Sequence, residues 1–336
     1  MRTLAVRLDS LGDVLVTGPA LRALAADSDE LTLLCGPRGR AAAELLPGVD
    51  ELLCWHSPWI DPEPEPVSPD AVSELVADLA RRHFDRAVVF TSFHQSALPT
   101  ALVARLAGIP WVGAISEDYP GSLLDLRHRV PQDLPEPERA LSLAAACGAP
   151  GDGTLLALRP DAPAPSFVGD GHVVLHPGTS VPARAWSPES YRRTCELLTE
   201  AGHRVVVTGA PDESGLTQYV VGRTEARDLG GCTDLAELAG VLAAARAVVV
   251  GNTGPAHLAA AVGTPVVSLF APTVPAVRWA PYGVPVVLLG DQHAPCRDSR
   301  ATHCPIAGHP CLGSVRPEDV VTAVATLSGT AERRLA

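Results

Sequence analysis

Apolar residues in this chain gather in short runs, and the stretches between them repeat their apolar positions every three or four residues. Thr3–Arg7, Leu31–Cys35, Glu51–Trp55, Arg86–Thr91 and Trp111–Val112 have the length and composition of strands. Helical periodicity covers Val14–Ala26, Pro69–His83 and Gln95–Ala107. Strands alternating with helices predict βαβ units, and hence a parallel sheet flanked by helices.

The stretch Ala149–Gly171 is rich in Pro and Gly and has little periodicity, so it reads as a connection. A second series follows, with strands at His172–Leu175, Arg204–Thr208, Ala247–Val250, Val266–Phe270 and Val284–Leu289. Its helices fall near Pro188–Ala201, Leu235–Ala244 and Pro255–Val262. The expectation is an α/β chain of two Rossmann-like domains with parallel sheets, spanning 1–160 and 161–315. A closing segment, 316–336, holds a helix at Pro317–Leu327 that could pack on either half. The Pro-rich run Pro58–Pro69 is expected to be an exposed loop.

The 336 residues exceed one ordinary core. An apolar fraction of 46% against 19% charged residues supports a packed globular protein rather than a disordered one. The formal charge of −12, with no cationic run, argues against a nucleic-acid partner, whose phosphates demand clustered cations. All 26 basic residues are Arg, which with abundant Ala and Gly fits a GC-rich genome. Asp9 and Asp13 interrupt the first apolar residues, so no signal peptide is expected. Arg246, Asn252, Gly254 and Pro255 break the most apolar region, 235–270, so no membrane span is expected either, and the expected location is the cytoplasm.

Three turns could carry chemistry. Asp9-Ser10-Leu11-Gly12-Asp13 follows the first strand and opens a helix, where ligands of open α/β sheets bind. Asp13 could equally be a carboxylate that stabilises the helix N-terminus. His176-Pro177-Gly178-Thr179-Ser180, with Arg184-Ala185-Trp186 beyond it, follows the first strand of the second half. Small residues and hydroxyls there allow backbone to approach an anion, and Arg184 could hold a diphosphate. The plain alternative is a Gly/Pro turn leading to a helix capped by Ser187. Gly251-Asn252-Thr253-Gly254-Pro255-Ala256-His257 opens an Ala-rich helix whose N-terminus favours phosphate. Its alternative is an ordinary capped helix with His257 packed inside. One carboxylate in the first half and two anion-friendly helix starts in the second describe a donor-and-base site.

The ordered set Leu11-Gly12-Asp13, His176-Pro177-Gly178, Arg184-Ala185-Trp186, Gly209 through Glu213 and Asn252 through His257 resembles the glycosyltransferase family 9 heptosyltransferases. The resemblance implies a GT-B fold, two Rossmann-like domains facing across a cleft, with the acceptor on the first and the nucleotide-sugar on the second. It implies an ADP-heptose donor, inversion at the anomeric carbon and no required cofactor or metal. Asp13 then matches the family's general base, with Ser10 and Gly12 on the acceptor side. On the donor side, Arg184 matches a phosphate-contacting Lys. His176, Gly178, Thr179, Ser180, Gly209, Asn252, Thr253, Gly254, Pro255 and His257 surround the diphosphate and sugar. Glu213 is placed to bind the ribose, and Thr233 to Leu235 to line the base pocket. Where the family commonly has Asp, this chain has Asn252, which can hydrogen-bond a sugar hydroxyl without charge.

Cys296, Cys304 and Cys311, with His303 and His309, could offer sulfur and nitrogen to zinc or iron, but their spacing matches no knuckle. No metal site is expected. Lipopolysaccharide is the family's usual acceptor. The Arg-only, Ala-rich composition is typical of GC-rich Gram-positive genomes, many of which lack that lipid, so a natural product or a cell-surface or lipid-linked glycan is equally suited. Two other readings stand beside transfer. The Leu11-Gly12-Asp13 motif argues against a GT-B-fold sugar-nucleotide epimerase, and only Asn252 supports a non-catalytic nucleotide-sugar-binding protein.

Overall fold

Both halves of the chain build six-stranded, wholly parallel sheets with the same strand order. They are seen in a computed structural model that describes residues 1–130, 133–151, 153–161 and 168–335, without the side chains of 329–335. Parts of the predicted connection, 152 and 162–167, lie outside the described residues. The chain divides into two units, Met1–Arg159 and Pro160–Ala336.

The first unit contains β1 (Arg2–Arg7), β2 (Glu30–Cys35), β3 (Glu51–Cys54), β4 (Arg86–Val89), β5 (Trp111–Ile115) and β6 (Leu126–His128). Its helices are α1 (Leu11–Ala26), α2 (Arg40–Glu44), α3 (Pro69–Arg82), α4 (Leu98–Leu106) and α5 (Glu136–Ala146). The sheet runs β3-β2-β1-β4-β5-β6. The second unit has β7 (His172–His176), β8 (Val205–Gly209), β9 (Arg227–Gly230), β10 (Ala245–Gly251), β11 (Val266–Leu269) and β12 (Val286–Leu289), ordered β12-β11-β10-β7-β8-β9. Its helices are α6 (Pro188–Glu200), α7 (Ser214–Val221), α8 (Leu235–Ala243), α9 (Gly254–Ala261), α10 (Ala276–Trp279), α11 (Pro310–Gly313) and α12 (Pro317–Leu335). Numbered within each unit, both sheets follow the order 3-2-1-4-5-6, the doubly wound arrangement.

Central strands such as β7 and β8 are buried along their whole length because helices cover both faces of the sheet. That is why they read as continuous apolar runs rather than alternating ones. The edge strands β6 (LRH) and β9 (RDLG) fall outside the expected series. Each pairs on one side only and is half solvated, so it needs no apolar run. Helix α5 also lies outside that series. It buries Ala140, Leu143 and Ala144 and packs closely against α1.

The last helix packs on the second unit. Val320, Ala323, Val324 and Leu327, three or four residues apart, join Cys195 and Leu198 of α6 in one core with Leu175 and Val249. No described helix is long and apolar enough to cross a membrane.

Leu175, on the central strand β7, is fully buried in this core. Leu175→Ala is expected to lower the unfolding free energy by about 2–5 kcal/mol through lost burial and a residual cavity. Urea unfolding monitored by tryptophan fluorescence checks this, and an unchanged midpoint would contradict the packing described.

Candidate active site

In a doubly wound sheet, the chain leaves neighbouring central strands in opposite directions, so a crevice opens at their carboxyl ends. In the first unit these strands are β1 and β4. Gly36 lets the turn after β1 pack tightly: a Cβ there would stand 2.4 Å from the Leu8 carbonyl oxygen. Gly12 is buried in the first turn of α1. Asp13 occupies the third helical position, and its Oδ2 accepts from Ser10 Oγ at 2.6 Å and from the Ser10 N–H at 3.3 Å. The carboxylate thus does serve the helix start. It also faces the neighbouring strand: Ser92, just beyond β4, donates to Asp13 Oδ1 at 3.3 Å.

Beneath it lies Arg7, whose side chain is 1% exposed. Its Nη2 reaches Asp13 Oδ1 and Ser92 Oγ, each at 3.0 Å, and its Nε pairs with Asp9 Oδ2 at 2.9 Å. Burial alone would lower the guanidinium pKa, but Asp9, Asp13 and Glu136 carry it above its ordinary value. Burial pushes the Asp9 carboxyl up to about 6 against the opposing pull of Arg7. Gln95 Nε2 donates to Asp9 and so fixes its orientation.

In the second unit the diverging strands are β7 and β10. His176 ends β7 with its ring turned inward, Nδ1 2.9 Å from Thr208 Oγ1 on β8. Burial lowers its pKa to about 4, so it is neutral at physiological pH. Tyr191 donates to its carbonyl at 3.2 Å. Gly178 packs against Glu213: a Cβ at Gly178 would stand 2.1 Å from both carboxylate oxygens. Glu213 also accepts the Ala210 N–H at 2.8 Å, just after β8 ends at Gly209. Thr179 Oγ1 accepts from Val181 N at 3.3 Å, and Ser180 is exposed.

Arg184 Nη1 lies 3.5 Å from the Asn252 carbonyl oxygen, which joins the loop after β7 to the one after β10. Asn252 is 5% exposed, and its Nδ2 has no hydrogen-bond partner among the described residues. Thr253 is extended and contributes no side-chain cap to α9, which begins Gly254-Pro255. By contrast, Ser187 Oγ accepts from Ser190 N at 3.1 Å, so its own cap serves α6 and the anion-friendly features there belong to the loop before the helix. His257 is buried and meets the Trp279 ring edge-on, with centroids 6.5 Å apart. Thr233 precedes Asp234, which caps α8 through Glu237 N at 2.8 Å, and Leu235 is the first residue of that helix.

The structure therefore groups Gly178 with Gly209 and Glu213, and Arg184 with Asn252 and the start of α9. It places Ser10, Gly12 and Asp13 in the first unit. Cys296 and Cys311 are buried in the core of the second unit, while Cys304 donates weakly to the Ile306 carbonyl at 3.4 Å. Among the described residues no three His, Cys, Asp or Glu side chains converge to hold a metal. His309 instead donates to the Ala183 carbonyl at 3.0 Å, and the Thr302 carbonyl accepts the Ala183 N–H at 2.9 Å, so the segment before α11 fixes the backbone beside Arg184.

Arg7, Ser92, Gln95, Trp279 and Thr302 escape sequence reasoning, which reaches Asp9 only as part of a turn and His309 only beside a possible metal cluster. The signal that Asp9 leaves is a second carboxylate four residues before Asp13. A cavity of about 360 Å³ lined by His172, Arg204 and Arg227 opens at the amino ends of β7 and β8, the opposite edge from all these groups. Ligands of such sheets bind at the carboxyl ends, so that cavity lies on the wrong edge for the site.

Two doubly wound units, each with its polar groups at the strand-order reversal, define a GT-B-type glycosyltransferase architecture. The family model described as "Glycosyltransferase family 9 (heptosyltransferase)" matches residues 72–308, and the chain belongs to that family. It is 28% identical to lipopolysaccharide heptosyltransferase 1 of Pseudomonas aeruginosa, over 91% of this chain and 88% of that one. The fold is similar to that of ADP-heptose lipopolysaccharide heptosyltransferase II of E. coli, with a TM-score of 0.74 at 20% identity, covering 99% and 100% of the two chains. It is also similar to E. coli heptosyltransferase WaaC solved with ADP, with a TM-score of 0.72 at 20% identity, covering 97% and 100%.

Two outcomes follow from this geometry. Gly178→Ala must displace the Glu213 carboxylate, so a crystal structure of that variant is expected to show the carboxylate moved away from position 178 with the fold retained. His176 binds its proton less readily in the folded protein than in the unfolded chain, so stability rises with pH between about 4 and 6.5 and is lost as pH falls through that window. Denaturant unfolding of a His176→Asn variant across that range is expected to show a shallower pH dependence than the native protein.

Proposed function

We propose that this family 9 glycosyltransferase moves a heptose, or a related sugar, from an ADP-sugar to a hydroxyl of a glycan or natural-product acceptor. The transfer inverts the anomeric carbon and requires no metal ion. The observation that carries the donor side is the juxtaposition of the Arg184 guanidinium with Asn252 and the uncapped start of α9. A cation and a helix N-terminus together suit a diphosphate. An unpartnered buried amide costs about 1–3 kcal/mol, so Asn252 Nδ2 calls for an oxygen atom from a ligand. The solved relative named with ADP gives this reading its nucleotide.

In the reaction, Asp13 accepts the acceptor hydroxyl proton as that oxygen bonds to the anomeric carbon. The bond from that carbon to the diphosphate oxygen breaks, and its electron pair leaves with ADP. Attack from the face opposite the leaving group makes a single displacement, and inversion follows. Negative charge grows on the departing diphosphate in an oxocarbenium-like transition state. Arg184 and the α9 N-terminus oppose that charge, the task a divalent cation performs elsewhere.

The first test is ADP release from ADP-heptose and other sugar nucleotides in the presence of acceptor extracts. Asp13→Ala is expected to reduce transfer by about a hundredfold or more while calorimetric donor affinity stays within about twofold. No nucleotide release under any combination, or equal loss of transfer and affinity in the variant, would sink the assignment.

A further inference from the structure

We infer that Arg7 is a positioning residue for the transfer: its buried guanidinium fixes the Asp13 carboxylate, and Asp9 is the second counter-charge that keeps Asp13 available to accept a proton. This rests on Asp13 being the base, as proposed above. Each oxygen of Asp13 has its own donors, Ser10 on Oδ2 and Arg7 with Ser92 on Oδ1, so the carboxylate cannot rotate without breaking one set. Such fixation suits a base that must meet a hydroxyl at hydrogen-bond distance.

A fold alone does not call for Arg at this place. Burying a guanidinium carries a large desolvation cost even when paired, and apolar residues of similar volume often serve stability as well or better. Residues 4–6 of β1 are Leu, Ala and Val, and its two charges stand at the ends: Arg2 half-buried at the amino end, and Arg7 buried at the carboxyl end, where the sheet opens. One Arg facing one carboxylate would draw down its basicity. Here the guanidinium is divided between Asp13 and Asp9 through separate nitrogens, a geometry that the planar fork of Arg supplies and the point charge of Lys does not.

The surroundings hold this arrangement in register. Gln95 fixes Asp9, and Arg139 of α5 donates to the Thr91 carbonyl at 2.6 Å, which anchors the loop carrying Ser92 and Gln95. The charged groups facing Arg7 are Asp9 and Asp13 from the turn into α1 and Glu136 from α5, with Arg139 paired to Glu136 at 3.4 Å. The loop after β4 contributes the neutral Ser92 and Gln95, and it also carries the titratable His94, which is exposed. Burial, opposed by Arg7, places the Asp9 carboxyl near 6, so the division of charge changes just below neutral pH. With Asp9 protonated, Arg7 acts on Asp13 with one fewer counter-charge.

The test uses the full-length protein, ADP-heptose and an acceptor extract that supports turnover. Arg7→Met is expected to lower kcat about a hundredfold with donor Kd within about twofold, and Arg7→Lys to recover part of that loss. Wild-type kcat is expected to fall as pH drops through about 6, whereas Asp9→Asn runs about tenfold lower at neutral pH and loses that limb. Should Arg7→Met fail to fold, Arg7→Lys and the Asp9→Asn pH profile decide. Full activity in Asp13→Ala overturns the base assignment itself. An inactive Asp13→Ala beside an Arg7→Met of native kcat, or an Asp9→Asn that keeps the wild-type acid limb, overturns the role given to Arg7 and Asp9.

Discussion

In each unit the order of six parallel strands reverses direction at the centre, between β1 and β4 and between β7 and β10. The connections leaving these neighbours diverge to opposite faces, so no helix covers their carboxyl ends. Everything else about the site depends on that gap. The turn after a central strand becomes the one place in a buried sheet where a polar group can be held by the core and still meet a ligand. Asp13, Arg184 and Asn252 all stand at such positions.

The two units use the gap in different ways. The first buries charge: Arg7, Asp9, Asp13, Glu136 and Arg139 form a connected set with two cations and three carboxylates, whose arrangement fixes one of them at the surface. The second stays close to neutral at its centre, with a neutral His176, an amide at 252 and a backbone carbonyl beside Arg184. That difference is what the proposed mechanism requires, with a proton moved in one unit and an anion received in the other. The Asn at 252 accords with it, because a carboxylate there would partly cancel the field of Arg184.

Close backbone approach matters as much as charge. A side chain at Gly178 would have to push aside the Glu213 carboxylate that lies across its Cα, and one at Gly36 would meet the Leu8 carbonyl. These glycines allow loops from different strands to meet. The chain before α11 adds a third support by holding both backbone groups of Ala183, so the position of Arg184 depends on residues more than a hundred positions away.

The sequence by itself determined the class of the fold and the places where chemistry could occur. Central strands are buried on both faces and must be apolar along their length, and the turns after them carry Gly, Thr, Asn and Asp in a recognisable order. The edge strands β6 and β9 were not legible, since half-solvated strands need no apolar pattern. Asp13 was legible as a helix-start carboxylate or a base. The structure shows it capping the helix and facing the neighbouring strand at once. Only the tertiary structure could decide its partners. Arg7 reads as an ordinary strand-end residue, and Ser92, Gln95, Glu136 and Arg139 lie roughly 80 to 130 residues further on. They meet because parallel strands must cross over long connections before they pair, and such contacts leave no local spacing for a sequence to display.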